Sequence, residues 1–281
     1  MRARPDETRR TEFWNRAKSM TPYLAAQHGE AVFLVSTLSG GAEKLFVQNA
    51  KRSEFVCLER ACAILRDADR LTGPAAIVDV GAHIGTTTIS ALTRHGFARA
   101  VAVEPDPDNV RLLRVNVALN RLHERVTVIQ AAVSDAPREQ MLWSPGSEEG
   151  GWARGRLIDE PSTTAVVIDT VTLDGLAEAG IVEPATTKLL WLGQPFDESL
   201  IRSGSASVLF QRRVPIVFVL RRHANPGSFI DRLREHGYER IVDLRHPSLG
   251  KPLSSWTPTF ERVDDPFTLS ARAKMTDMLA F

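Results

Sequence analysis

The sequence predicts an α/β chain with a Rossmann-like arrangement: a mostly parallel sheet with helices on both faces. Three observations carry that prediction. Ile77-Val78-Asp79-Val80 is an apolar, β-branched run that breaks into Gly81 and Gly85 and re-enters as a helix. From Ala75 onward, short apolar runs alternate with segments of helical periodicity, which is the order of a parallel sheet with right-handed crossovers. A second buried run, Ala100-Val101-Ala102-Val103, ends in Glu104, which lies 19 residues after Gly85, the distance of one helix and one strand.

The elements follow in order. Residues 1–20 are charged and read as frayed or loosely helical. Residues 31–35 read as a strand, with 44–47 as its hairpin partner across Ser39-Gly40-Gly41. Residues 54–70 read as a helix, because Phe55, Leu58, Ala61, Cys62 and Leu65 form one stripe. The first main strand is 76–80, followed by a helix over 86–95 that Gly96 closes. Strand 99–104 leads to a helix over 107–120, started by Asp106 with Pro107 at its first position. A third strand covers 125–133. Residues 136–163 break the rhythm and read as a loop or hairpin insertion carrying Trp143 and Trp152. Beyond it come a strand at 165–168, a helix at 172–179, strands at 188–192 and 215–220, a helix at 228–236 and a strand at 240–244. The proline-rich remainder ends in a short helix candidate. The expected organisation is an N-terminal extension (1–73), a core domain (74–245) and a C-terminal tail (246–281).

Composition bounds the rest. The 281 residues are 43% hydrophobic and 25% charged, with a formal net charge of +1. No global field therefore draws the chain to nucleic acid or to an acidic membrane, and neither partner is expected. Cys57 and Cys62, five apart in a helix candidate, do not face each other. This favours a reducing compartment and a cytoplasmic location. No metal site is expected.

The glycine turn after a strand brings backbone and a helix N-terminus close to a ligand. The spacing Gly81–Gly85, with His83 between, departs from the dinucleotide fingerprint Gly-x-Gly-x-x-Gly. A nicotinamide-dependent oxidoreductase is accordingly the weaker reading. An acid before the first glycine suits an amino group, and S-adenosylmethionine carries an ammonium, a carboxylate and a ribose. Asp79, inside an apolar strand, either bonds to the loop or holds that cationic group. Glu104 is placed to accept hydrogen bonds from both ribose hydroxyls and should lie outside the core. His83 either touches a ligand or donates to a turn carbonyl.

Residues 78–85, then Ala102-Val103-Glu104-Pro105-Asp106-Pro107-Asp108-Asn109, then Leu112-Leu113-Arg114-Val115-Asn116-Val117-Ala118-Leu119-Asn120, then Ala131-Ala132-Val133-Ser134-Asp135, resemble the FkbM-type methyltransferases. Thr172-Leu173-Asp174 resembles a segment of the same family. The resemblance implies a fold that binds S-adenosylmethionine and methylates hydroxyl oxygens of small molecules or sugars, with a homodimer compatible. It also implies that Asp79, Gly81 and Gly85 shape the methionine end, that Glu104 holds the ribose, and that Gln130, Ala131 and Ala132 line the adenine, with His83 and Pro105 among the cofactor-binding residues. One segment departs from the family: Leu192-Gly193-Gln194-Pro195-Phe196-Asp197-Glu198 has Gly193 where the family has an aspartate. Glu198 stays in register, and Asp197 and His223 are the other candidates for the acceptor side. The alternative is a catalytically silent S-adenosylmethionine-binding protein.

Overall fold

In the computed structural model the described residues are 5–38, 40–48, 53–134, 140–144, 156–158, 165–193, 206–221, 226–244 and 275–281. The N-terminal part is α1 (Pro5–Ala17), a hairpin of β1 (Tyr23–His28) and β2 (Ala31–Ser36), α2 (Gly40–Gln48) and α3 (Ser53–Asp67). The sheet region runs β3 (Ala76–Val80), α4 (Thr86–Arg94), β4 (Arg99–Glu104), α5 (Pro107–Leu119), β5 (Val126–Gln130) and β6 (Ala132–Val133). It continues with β7 (Gln140–Ser144), β8 (Arg156–Ile158), β9 (Val166–Val171), α6 (Leu173–Glu178) and β10 (Thr187–Leu192). It ends with α7 (Ser207–Gln211), β11 (Ile216–Arg221), α8 (Pro226–Glu235), β12 (Ile241–Asp243) and β13 (Met275–Ala280).

The central sheet has the order β12-β13-β11-β10-β3-β4-β5. All neighbours from β11 to β5 pair in parallel, and β13 runs antiparallel to both β11 and β12. This is the mostly parallel sheet with flanking helices that the alternation predicts. The chain's first central strand, β3, lies between β4, which the next crossover reaches, and β10, which a later one reaches. The carboxyl ends of β3 and β10 therefore mark the switch point where such sheets hold ligands.

The central strands are buried on both faces because their side chains alternate between two cores. Ile77, Ala102, Leu189 and Trp191 join the core shared with the hairpin, α3, α4 and α5. Val78, Val80, Val103, Leu190 and Leu192 join the core shared with α6, α7 and α8. The helices are tied to one another at their ends. Thr172 caps α6 by accepting from the Gly175 N–H at 2.9 Å. Asp174 then caps α7, its carboxylate accepting from the Ser207 and Val208 N–H groups at 2.9 and 3.0 Å.

Four segments differ from the sequence expectation. Residues 44–47 lie in α2, and the hairpin partner of β2 is β1, paired from Tyr23↔Ser36 to His28↔Ala31. The reason is helical spacing: Ala42 and Leu45 are buried together, and Phe46 packs on Phe13 and Trp14. Residues 5–17 are a regular helix, docked through Trp14, which is 1% exposed. The strand expected over 125–133 divides, and β6 leaves for a small second sheet with the order β6-β9-β7-β8. In that sheet β7 and β8 pair antiparallel, so the described part of the insertion is a hairpin; Trp152 lies outside the described residues. The short helix expected at the C-terminus is instead β13, inserted between β11 and β12. Met278, Leu279 and Ala280 are fully buried there, and two flanking strands supply the hydrogen bonds that a helix would have made internally.

Leu279→Ala should therefore behave as a central-core truncation, costing about 2–5 kcal/mol. Urea unfolding monitored by tryptophan fluorescence measures it. A change below about 0.5 kcal/mol would remove β13 from the core.

Candidate active site

The site is built on the turn from β3 into α4, and its backbone conformation explains its glycines. Gly81 and Gly85 have φ of 76° and 91°, and His83 between them also has a positive φ of 54°. Histidine is among the non-glycine residues that enter this region more readily. Gly85 has a second reason: an added Cβ would lie 2.6 Å from Leu113 Cδ1 and 3.2 Å from Ile89 Cδ1. The turn lies tight against α5, and only glycine fits both the space and the φ.

Neighbouring strands hold the turn's polar groups. The N–H groups of Gly81 and Ala82 both donate to the Val103 carbonyl, at 2.9 and 3.1 Å. The His83 N–H donates to Glu104 Oε2 at 2.8 Å. Glu104 Oε1 also accepts from the Asp106 N–H and from Asn109 Nδ2, each at 3.1 Å. Three of the roughly four acceptor positions of this carboxylate are thus filled by the protein. Glu104 is 3% exposed, so the expectation that it lies outside the core is corrected. It ties the turn to the first turn of α5, and one acceptor position remains rather than two.

Asp79 is also buried, and its Oδ2 accepts from Thr88 Oγ1 at 2.5 Å, with the Thr88 backbone N–H contributing as well. Gly85, the N-cap of α4, has no side chain to offer, so Asp79 serves one of that helix's orphan N–H groups from the adjacent strand. Burial pushes the Asp79 carboxyl up to about 7, against the Thr88 bonds and with help from the Glu54 charge. Burial likewise pushes Glu104 up to about 7, against its three N–H donors.

The expected cofactor residues gather at the carboxyl ends of β3, β4 and β5. Glu104 pairs in register with Gln130, and the Ala131 N–H donates to the Glu104 carbonyl at 3.2 Å. Pro105 and Ala131 are buried and Gln130 is exposed. Across the switch point, the Gly193 N–H donates to the Val80 carbonyl at 3.0 Å. A Cβ on Gly193 would lie 3.3 Å from the Gly81 carbonyl oxygen, so a side chain at this position would crowd the turn. Asp197, Glu198 and His223 lie outside the described residues. Sequence reasoning missed Thr88, Asn109 and Asn116. The signal for Asn109 was its place one helical turn after Asp106, beside the end of β4.

Residues 59–142 match the family model described as the TRM5/TYW2 methyltransferase domain. That stretch runs from α3 to β7 and contains the whole turn. The expectation of S-adenosylmethionine agrees with a methyltransferase domain at these residues; the FkbM assignment does not, because the matching model is a different methyltransferase family. No curated protein matches the chain. Similar solved structures include M. jannaschii TYW2 in complex with AdoMet (11% identity, 92% of this chain and 84% of that chain covered, TM-score 0.45). Another is the M. jannaschii tRNA m1G37 methyltransferase (10% identity, 98% and 65% covered, TM-score 0.43). A third is the complex of aTrm5 and tRNALeu (10% identity, 93% and 52% covered, TM-score 0.43). The expectation of a small-molecule acceptor and no nucleic acid is corrected: two of these similar structures are of a tRNA m1G37 methyltransferase and of aTrm5 with tRNALeu. The physical reason lies in the argument from net charge: +1 averaged over the chain excludes a global field and leaves local phosphate contacts open. Among the described residues no helix is long and apolar enough to cross a membrane, and no cluster of His, Cys, Asp or Glu could hold a metal.

Two outcomes follow for Glu104. Glu104→Ala leaves three N–H donors without their acceptor, so the ligand-free protein should lose on the order of 3 kcal/mol. Calorimetric melting measures this, and an unchanged melting temperature would show that the carboxylate does not organise the turn. The pH dependence has a definite sign. The folded state keeps the Glu104 proton up to about 7 and the unfolded chain only to about 4.5. Its contribution to stability is therefore complete below about 4.5 and falls as pH rises through 7. The stability difference between wild type and Glu104→Gln should shrink between about pH 5 and 7; a difference that stays flat would contradict the raised pKa.

Proposed function

We propose that this chain is an S-adenosylmethionine-dependent methyltransferase whose acceptor is a nucleoside of a structured RNA. The observation that carries the reading is the coincidence of two features. The segment matching a methyltransferase domain, 59–142, contains a strained turn at the switch point of the sheet, with every described support of that turn in place. The RNA acceptor is supported by the similar structures of a tRNA m1G37 methyltransferase and of aTrm5 in complex with tRNALeu.

The cofactor supplies a methyl group on a sulfonium sulfur, which leaves as a thioether when an acceptor lone pair takes the methyl. The protein's share is positioning in line with the C–S bond, and help for an acceptor that must lose a proton. Glu104 keeps one acceptor position for a ribose hydroxyl while its other bonds hold the turn against α5. Gly81 and Gly85 supply the positive φ the turn needs, Gly85 also lets it pack against Leu113 of α5, and Asp79 fixes the start of α4. Gln130 and Ala131 form the adenine side, next to Pro105. On the acceptor side the candidates for receiving a proton are Asp197, Glu198 and His223.

A second reading, cofactor binding without turnover, is favoured by Gly193. It has no group to orient or deprotonate an acceptor, and the 3.3 Å approach to the Gly81 carbonyl disfavours any side chain there.

Transfer of label from S-adenosyl-[methyl-³H]methionine to unmodified tRNA transcripts and to total RNA tests the reading. Wild type should label RNA, and Glu104→Ala should label it at least tenfold less at sub-saturating cofactor. Cofactor binding with no label in any RNA would leave the silent binder in place of the enzyme.

A further inference from the structure

The turn has one support that comes from neither β3 nor β4. Asn116 lies on the inner face of α5 and is wholly buried, at 0% exposure. Its Oδ1 accepts from the Leu34 N–H at 2.6 Å, and its Nδ2 donates to the Leu34 carbonyl at 3.2 Å. Asn120, one helical turn further on, treats Val32 the same way: Oδ1 accepts from the Val32 N–H at 2.9 Å, and Nδ2 donates to the Val32 carbonyl at 2.7 Å. The two amides thus act as peptide groups of a missing strand along the edge of β2. The spacing allows it. Four helical residues rise about 6 Å, and two strand residues about 6.8 Å, so side chains at i and i+4 reach alternate residues of an edge strand.

The amides differ in one bond. Asn120 Nδ2 also donates to the Asn116 carbonyl within its own helix. Asn116 Nδ2 donates instead to the Ile84 carbonyl at 2.9 Å, inside the turn. Ile84 sits between His83, whose N–H is held by Glu104, and Gly85, which is pressed on Leu113. One buried amide therefore joins the N-terminal hairpin, α5 and the turn.

We propose that Asn116 is a positioning residue for the cofactor turn, and that through it the β1–β2 hairpin is part of the support of the cofactor site. This rests on the reading of the turn as a binding site for S-adenosylmethionine. Asn120 is the internal control, because it makes the same two bonds to the hairpin and none to the turn.

The test uses the full chain as wild type, Asn116→Ala, Asn116→Ser and Asn120→Ala, with S-adenosylhomocysteine titrated by calorimetry and amide hydrogen exchange followed at residues 81–85. All three variants should melt at lower temperature than wild type. The Asn116 variants should bind S-adenosylhomocysteine about tenfold more weakly, with Asn120→Ala within about twofold of wild type. Exchange at 81–85 should quicken in the Asn116 variants alone. Equal loss of affinity and equal exchange in Asn116→Ser and Asn120→Ala would overturn the proposal, as would an Asn116→Ser protein with wild-type values of both. If wild type does not bind S-adenosylhomocysteine, the functional reading falls. The exchange comparison then decides the positioning claim by itself, with selective quickening in the Asn116 variants upholding it and its absence overturning it.

Discussion

A buried strand that ends in a tight turn must leave no polar backbone group unpaired, and that constraint organises this molecule. The carbonyl of Val103 takes two N–H groups of the turn, the carboxylate of Glu104 takes a third, and Asn116 supplies the Ile84 carbonyl. Each of these partners comes from a different place: the body of β4, its last residue, and the middle of α5. The turn can therefore form only when the sheet and the α5 layer are both assembled. Glu104 extends the same network into the N-terminus of α5 through Asp106 and Asn109.

Burying two carboxylates beside one turn is costly, and the cost shows in both being pushed up to about 7. Neither has a cationic partner among the described residues' hydrogen bonds; both are held by N–H and O–H donors. On the proposed reading, this site takes a ligand that brings donors and positive charge of its own. That is the chemistry of a ribose and an ammonium, and it agrees with the methyltransferase domain matched over 59–142.

The parallel core was legible because it obeys local rules. Alternating apolar runs, the Asp106 cap and the Gly85 turn are each specified within a few residues. What was not legible depends on distant partners. Residues 275–280 become a strand only because β11 and β12 leave a gap that needs hydrogen bonds on both sides. Residues 44–47 carry apolar side chains that suit either a strand or a helix, and contact of Phe46 with Trp14 decides between them. In the site, Asp79, Gly85 and Glu104 stood out by spacing. Asn116 did not, because its role is defined by Leu34 and Ile84, 82 and 32 residues away. The error about partners had another cause: net charge is a property of the whole chain, and recognition is local.

The placement of the cofactor against Glu104 and the turn can be settled by a single experiment. A crystal of the full chain grown or soaked with S-adenosylhomocysteine should show the ribose within hydrogen-bond distance of Glu104 and the amino-acid end against residues 81–85. Density for the ligand at any other place in the molecule, with the turn and Glu104 untouched, would contradict it.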